Sequence, residues 1–206
     1  MKIFIGHDSR HSQATRVCKK SILSHSKQGE HKVTYLDKAL LTKIGIYGRK
    51  DVPGESTEFS FTRFYVPLLT HFKEKALFCD NDFLWKCNPS EIEKYIKEKP
   101  VAVVKHDLKE VHEDKMDGIK NKWYPKKCWS SLIYFDCEKL KNLSKEYLDN
   151  ATPKELHEFG WVDEKDISEI PRSYNHLIGY YEKHNRIKAL HYTQGGPWFD
   201  EHKNNE

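Results

Sequence analysis

The tripeptide Asp80-Asn81-Asp82 is the strongest chemical signal in the chain. It follows the apolar run Ala76-Leu77-Phe78-Cys79, and side chains two apart on an extended backbone point the same way. Two carboxylates so placed can share one divalent cation. Acidic pairs after strands are as often turn formers or side-chain caps, so the tripeptide alone leaves both readings open. An EF-hand loop starting at Asp80 would take its last ligand from Glu91, but Leu84 and Trp85 fall where that loop needs an oxygen ligand and a glycine turn. A phosphatase with Asp80 as phosphoryl acceptor and Asp82 as acid also puts two acids after a strand. There Gly-Thr usually follows, whereas here it is Phe83-Leu84; the phosphatase stays as an alternative.

Other chemistries find little support. Neither GxxxxGK[ST] nor GxGxxG occurs, so a nucleotide would need a cradle other than a glycine-rich loop, and a metal bridging its phosphates is one such device. There is no HExxH, and His7 and His11 straddle a loop and a helix start, where surface positions are the simpler reading. No GxSxG elbow is present and Cys128 lacks a nucleophile signature.

The elements that must position the acids follow from periodicity. Lys2 to Gly6 reads as a strand, His7 to His11 as a polar loop, and Ala14, Val17, Cys18 and Ile22 as one face of a helix. Val33 to Leu36 suggests a second strand, and Lys38 to Glu58, with three glycines and Pro53, a long surface loop. Phe61, Phe64, Tyr65, Leu68, Leu69 and Phe72 share one helical face, with Pro67 as a bend. Ser90 and Glu93 have capping-box spacing and predict a helix from 91 to about 98. Val101 to Val104 and Leu132 to Phe135 read as strands, the region beyond Lys139 as helical and polar, and Ile187 to Tyr192 as a last strand. Alternating strands and helices predict an α/β sandwich with a mostly parallel sheet, whose ligands gather at the carboxyl ends of the strands.

The chain of 206 residues suffices for one sizeable core, predicting a single domain over 1–206 with a flexible tail at 200–206. The net charge of +4 is spread along the chain, which argues against a dedicated nucleic-acid binder. There is no run of 18 apolar residues, so no transmembrane segment is expected, and the start reads as a strand rather than a signal peptide. Five cysteines without a CxxC pair suit a reducing compartment, and the expectation is a soluble cytoplasmic protein.

Six stretches in order, SFTRFYVPLL (60–69), ALFCDNDFLW (76–85), VVKHD (103–107), KMDG (115–118), WSSLIYFDC (129–137) and HYTQGGPWF (191–199), resemble the GT-A-type glycosyltransferases, specifically the family 8-like proteins. The resemblance runs from about Lys2 to Phe199. It implies a GT-A-like three-layer α/β/α sandwich with a mostly parallel mixed sheet, and a metal-dependent transfer of a sugar from a nucleoside diphosphate sugar, a UDP-sugar by preference, to a hydroxyl of a glycan or lipid-linked saccharide. A non-catalytic sugar- or nucleotide-binding module of the same fold is a further alternative.

Carried onto this chain, the resemblance implies that Asp80, Asp82 and His191 bind Mn2+ (or Mg2+). Nucleotide and donor contacts would come from His7 and Asp8 at the end of the first strand, from Arg63 and Asn81, and from Lys105, Trp129 and Ser130. The late motif departs from HxxGxxKPW: it is one residue shorter and has Gly196 where a Lys is expected. Backbone N–H groups of Gly195 and Gly196 are the expected substitute, as an anion nest. The stretch WVDEKDISEIPRSYNHL resembles the family segment ending LPxxWN, which implies Asp163, or in second place Glu164, near the anomeric carbon, with Asp163 as general base or electrostatic stabiliser and Asp136 as the second candidate catalytic acid.

Overall fold

The computed structural model describes residues 1–51, 55–110 and 123–199; the KMDG stretch and the expected tail at 200–206 lie outside them. In chain order the strands are β1 (Lys2–Gly6), β2 (Lys32–Leu36), β3 (Lys75–Cys79), β4 (Phe83–Trp85), β5 (Val101–Val103), β6 (Leu132–Asp136), β7 (Ile167–Glu169), β8 (His176–Leu177) and β9 (Ala189–His191). Six form a central sheet in the order β2-β1-β3-β6-β5-β7, and β4-β9-β8 form a small second sheet. Within the central sheet β6 alone runs against the others, pairing antiparallel with both β3 and β5. The sheet is therefore mixed and mostly parallel, as the sequence predicts.

Strand alternation divides the apolar residues between two cores. Phe4, Ala76, Phe78, Val101, Val103, Ile133 and Phe135 face one side, where Phe64, Tyr65, Leu148 and Leu156 cover them. Ile3, Ile5, Leu77, Cys79, Ala102, Leu132 and Tyr134 face the other, against Cys18 and Ile22 of α1 (Ser12–Ser24). Each large side chain buried this way contributes on the order of 2 kcal/mol. Both faces being covered explains why these strands read as continuous apolar runs.

The structure corrects several local expectations. The predicted loop at 38–58 contains α2 (Lys38–Lys43), capped by the Asp37 carboxylate accepting from Leu40 N–H at 2.9 Å. Only Leu41 of this helix is buried, so no apolar period marks it. The single helix expected from Phe61 is a 3-10 turn at Thr62–Tyr65 running into α3 (Val66–Leu69), with Pro67 in the first turn. Proline has no N–H to continue the earlier ladder, so the helix restarts there. The helix near Ser90 starts earlier, as a 3-10 helix at Pro89–Tyr95 capped by Asn88 rather than by a capping box. Beyond Lys139, α4 (Lys145–Asn150) and α5 (Pro153–His157) are followed by β7 and β8, which are too short to show alternation. The last strand enters the small sheet, with Phe83 opposite His191.

Register decides which residues share an edge. The carboxyl ends of β1, β3, β5 and β7 meet the start of β6 at one edge, where Cys79 lies opposite Leu132 and Val103 opposite Ile133. The opposite edge receives the end of β6, since Asp136 pairs with Lys75. Among the described residues no helix is long and apolar enough to cross a membrane.

Candidate metal centre

At the first edge, Asp80 and Asp82 leave β3 and meet His191 from the end of β9, with one ligand atom from each within 4.8 Å of the others. His191 Nε2 lies 3.2 Å from Asp82 Oδ1 and 4.0 Å from Asp80 Oδ2. The β4–β9 ladder delivers the histidine, and the Phe83 ring stacks on the imidazole at 4.4 Å between centroids. Asp82 and His191 are buried, and Asp82 Oδ1 accepts no hydrogen bond. A buried carboxylate oxygen without a donor is costly unless a cation meets it. Two hard carboxylates with one imidazole fit a divalent ion of the manganese or magnesium kind.

Arg63 is neither solvated nor on the open surface. Its Nη1 donates to the Ser130 carbonyl at 2.8 Å and sits 2.9 Å from Asp80 Oδ1, beneath the site. The guanidinium thus faces Asp80, while Asp82 faces the imidazole. Asn81, between the acids, turns the other way, as alternation requires, and its Nδ2 lies 3.4 Å from Thr15 Oγ1 on α1. It is not placed among the cation ligands.

The remaining expected residues divide by edge. Asp8 is at the site edge, but its carboxylate accepts from Arg10 Nε and Nη2 at 2.9 and 2.7 Å and from Glu58 N–H at 3.2 Å. Burial pushes its pKa up, and the Arg10 and backbone hydrogen bonds overcome that, holding it below the usual carboxylate range. His7 stacks on Tyr35. The Lys105 and Lys126 ammonium groups lie 5.6 and 5.4 Å from the Trp129 ring centre, a cationic rim around an aromatic surface. The Ser130 hydroxyl is engaged with His157 Nδ1 at 2.9 Å. Gly195 has φ of 114°, which favours glycine. A Cβ on Gly196 would fall 2.2 Å from the Trp198 ring, so the indole occupies the room that the expected Lys would need.

Asp136 and Asp163, the expected catalytic acids, are not at this edge. Asp136 closes β6 opposite Lys75 and pairs with Lys139 at 3.1 Å. Asp163 is exposed, pairs with Lys165 at 3.4 Å, and lines an open groove of about 600 Å³ with Pro100, Lys139 and Trp161. The reversed direction of β6 and the position of Asp163 ahead of β7, not after it, put both at the far side of the sheet.

Sequence reasoning includes His106 in the VVKHD stretch without giving it a role, and it passes over Asn175. His106 follows β5, is buried, and hydrogen-bonds through Nδ1 to the Tyr181 hydroxyl at 2.9 Å. Burial, with smaller contributions from His191 and Arg172, pushes its pKa down to about 3, so the ring is neutral at physiological pH. Asn175 follows β7 and is fully buried, with its Oδ1 2.8 Å from His191 Nδ1. The LPxxWN resemblance covers its stretch, in which a charged Asp163 is a stronger sequence signal for catalysis than a neutral amide.

No protein-family model matches the chain. It is 38% identical over 217 residues to Protein CDI of Arabidopsis thaliana, covering 100% of this chain and 82% of that protein. The chain belongs to the Protein CDI family. That name carries no activity, and the fold supplies the further relation. The structure resembles the WbbM bifunctional glycosyltransferase with a TM-score of 0.68, at 15% identity, covering 98% of this chain and 47% of that one. It resembles GlyE of Streptococcus pneumoniae TIGR4 at 0.62 and 16%, covering 97% and 57%. For the galactosyltransferase LgtC, solved with donor and acceptor sugar analogues, the values are 0.60 and 11%, covering 98% and 91%. The chain thus spans about half the length of the WbbM and GlyE chains. At these identities the likeness establishes the fold, so this member of the Protein CDI family has a GT-A glycosyltransferase fold.

Proposed function

We propose that the chain is a metal-dependent, family 8-like glycosyltransferase, acting as one domain, that moves a sugar from a UDP-sugar to a hydroxyl of a glycan or lipid-linked saccharide. The observation that carries this reading is the meeting of Asp80 and Asp82 with His191, more than a hundred residues away in sequence, at the carboxyl edge of a GT-A sheet. A divalent ion bound there supplies charge neutralisation for a departing diphosphate, worth several kcal/mol. The protein's own groups set up that chemistry. Arg63 holds Asp80 in place by joining it to the Ser130 carbonyl. Lys105 and Lys126 offer positive charge beside Trp129, whose ring edge is fixed by Nε1 donating to the His106 carbonyl at 2.9 Å. Neutral His106 offers hydrogen bonding without adding charge.

A non-catalytic binding module is favoured by one observation, the placement of Asp136 and Asp163 at the far edge. One experiment separates the readings. Sugar nucleotides are incubated with the protein with and without Mn2+, with an aryl phosphate as control. Metal-dependent release of UDP with no action on the aryl ester is the expected result. Stabilisation by UDP and Mn2+ without turnover of any donor would replace the enzyme by the module. Phosphate release from the aryl ester would replace it by the phosphatase.

A further inference from the structure

The hydrogen bonds behind His191 have only one consistent set of directions. The Cys128 carbonyl can only accept, and Ser131 Oγ lies 2.6 Å from it, so the hydroxyl proton is committed there. Asn175 Nδ2 lies 2.9 Å from the same Ser131 Oγ, which must therefore accept from the amide. That fixes the orientation of the amide, with Oδ1 toward His191 Nδ1 at 2.8 Å. An amide oxygen cannot donate, so Nδ1 carries the proton. In the neutral ring Nε2 is then left with its lone pair, and Nε2 is the nitrogen that faces Asp80 and Asp82.

Ser131 and Asn175 are nearly or fully buried, and their backbones come from different elements. Ser131 sits in the turn that enters β6, where Lys126 and Cys128 adopt left-handed backbone with φ of 61° and 65°. Such residues cost roughly 1–2 kcal/mol each, so the carbonyl that starts the series is held where a relaxed turn would not put it. Asn175 lies between β7 and β8, on the same stretch of chain that pairs β8 with β9.

We infer that Ser131 and Asn175 are positioning residues that lock His191 in the Nδ1–H tautomer and so present Nε2 to a divalent cation. This rests on the metal-centre reading above and adds to it the element that makes the histidine a ligand rather than a proton donor. Ligating histidines generally need such an outer partner, and its loss typically weakens metal binding about 10- to 100-fold. An amide free to turn over would present its NH2 to Nδ1, move the proton to Nε2, and close the site.

The test has a metal-free readout and a metal readout. Nitrogen-15 spectra of histidine-labelled protein without metal, in alkaline buffer, should show His191 protonated at Nδ1; a ring protonated at Nε2 overturns the inference. Mn2+ alone is then titrated and followed by electron paramagnetic resonance, with thermal unfolding as the check on folding. Asn175→Leu should weaken Mn2+ about 10- to 100-fold. Ser131→Ala, a smaller change that serves if Asn175→Leu does not fold, should weaken it by a factor of several. Asn175→Asp keeps an acceptor opposite Nδ1 and should stay within about threefold of the unaltered protein. Equal binding by Asn175→Leu and Ser131→Ala, or loss in Asn175→Asp as large as in Asn175→Leu, overturns the inference in favour of a packing role. An unaltered protein that shows Nδ1–H but takes up no Mn2+ supports the tautomer lock and defeats the metal reading instead.

Discussion

At one edge of the central sheet Asp80 and Asp82 converge on a histidine from the far end of the chain; at the other, Asp136 and Asp163 each face a lysine. In the first pair Asp80 faces the Arg63 guanidinium, and Asp82 is buried and retains an oxygen without a donor. The second acids are separately neutralised, and Asp163 is open to solvent. Acidic residues are thus plentiful on both sides, and what distinguishes a cation site is convergence on an imidazole around a buried oxygen that no donor meets. Parallel strands create that convergence by delivering several chain turns to one edge, while the reversed β6 carries its terminal acid away from it.

The comparison is broken most directly at Asp82. Asp82→Ala should lower Mn2+ affinity by at least about 100-fold and reduce UDP release from the donor to background, as chelation should in the unaltered protein. Full turnover in this variant would mean that the converging acids are not the site. Next in size, Arg63→Met removes the buried guanidinium that joins Asp80 to the Ser130 carbonyl and should destabilise the metal-free protein by about 1–3 kcal/mol. Denaturant titration measures this, and Mn2+ should restore more stability to the variant than to the parent.

Acidification sharpens the contrast further. His106 has a folded pKa of about 3 against an unfolded value near 6.5, so the unfolded chain binds the proton first. Its contribution is complete above about pH 6.5 and fades as pH falls toward 3, with a slope of up to about 1.4 kcal/mol per pH unit. His106→Phe should flatten the stability profile in that window. The smallest effects belong to the far edge. Asp163→Asn should change stability by less than about 0.5 kcal/mol, and both it and Asp136→Asn should leave donor turnover within about twofold. A tenfold loss in either would place chemistry where the fold puts none.

Much of this was legible from sequence because the decisive strands are covered on both faces. Ala76 to Cys79 had to be a central strand, and the acids after it had to point one way. The order of motifs carried the fold. What stayed hidden depends on strand direction and on neutral side chains. Nothing in Leu132 to Asp136 reveals that this strand runs backwards, yet its direction removes Asp136 from the site. Asp163 is conspicuous in sequence because it is charged, while Asn175, twelve residues on and past a three-residue strand, makes the contact. Gly196 departs from the expected Lys for a reason that only packing shows, the indole of Trp198 lying over it.

The pairing of β4 with β9 also sets a timetable. His191 takes its place opposite Phe83 only through a ladder whose two sides are more than a hundred residues apart. During synthesis the two acids emerge early and wait for their third companion until nearly all of the described chain has left the ribosome. A product lacking that strand would therefore own two of the three ligands, and affinity for the ion would report that β9 had been made and had paired with β4.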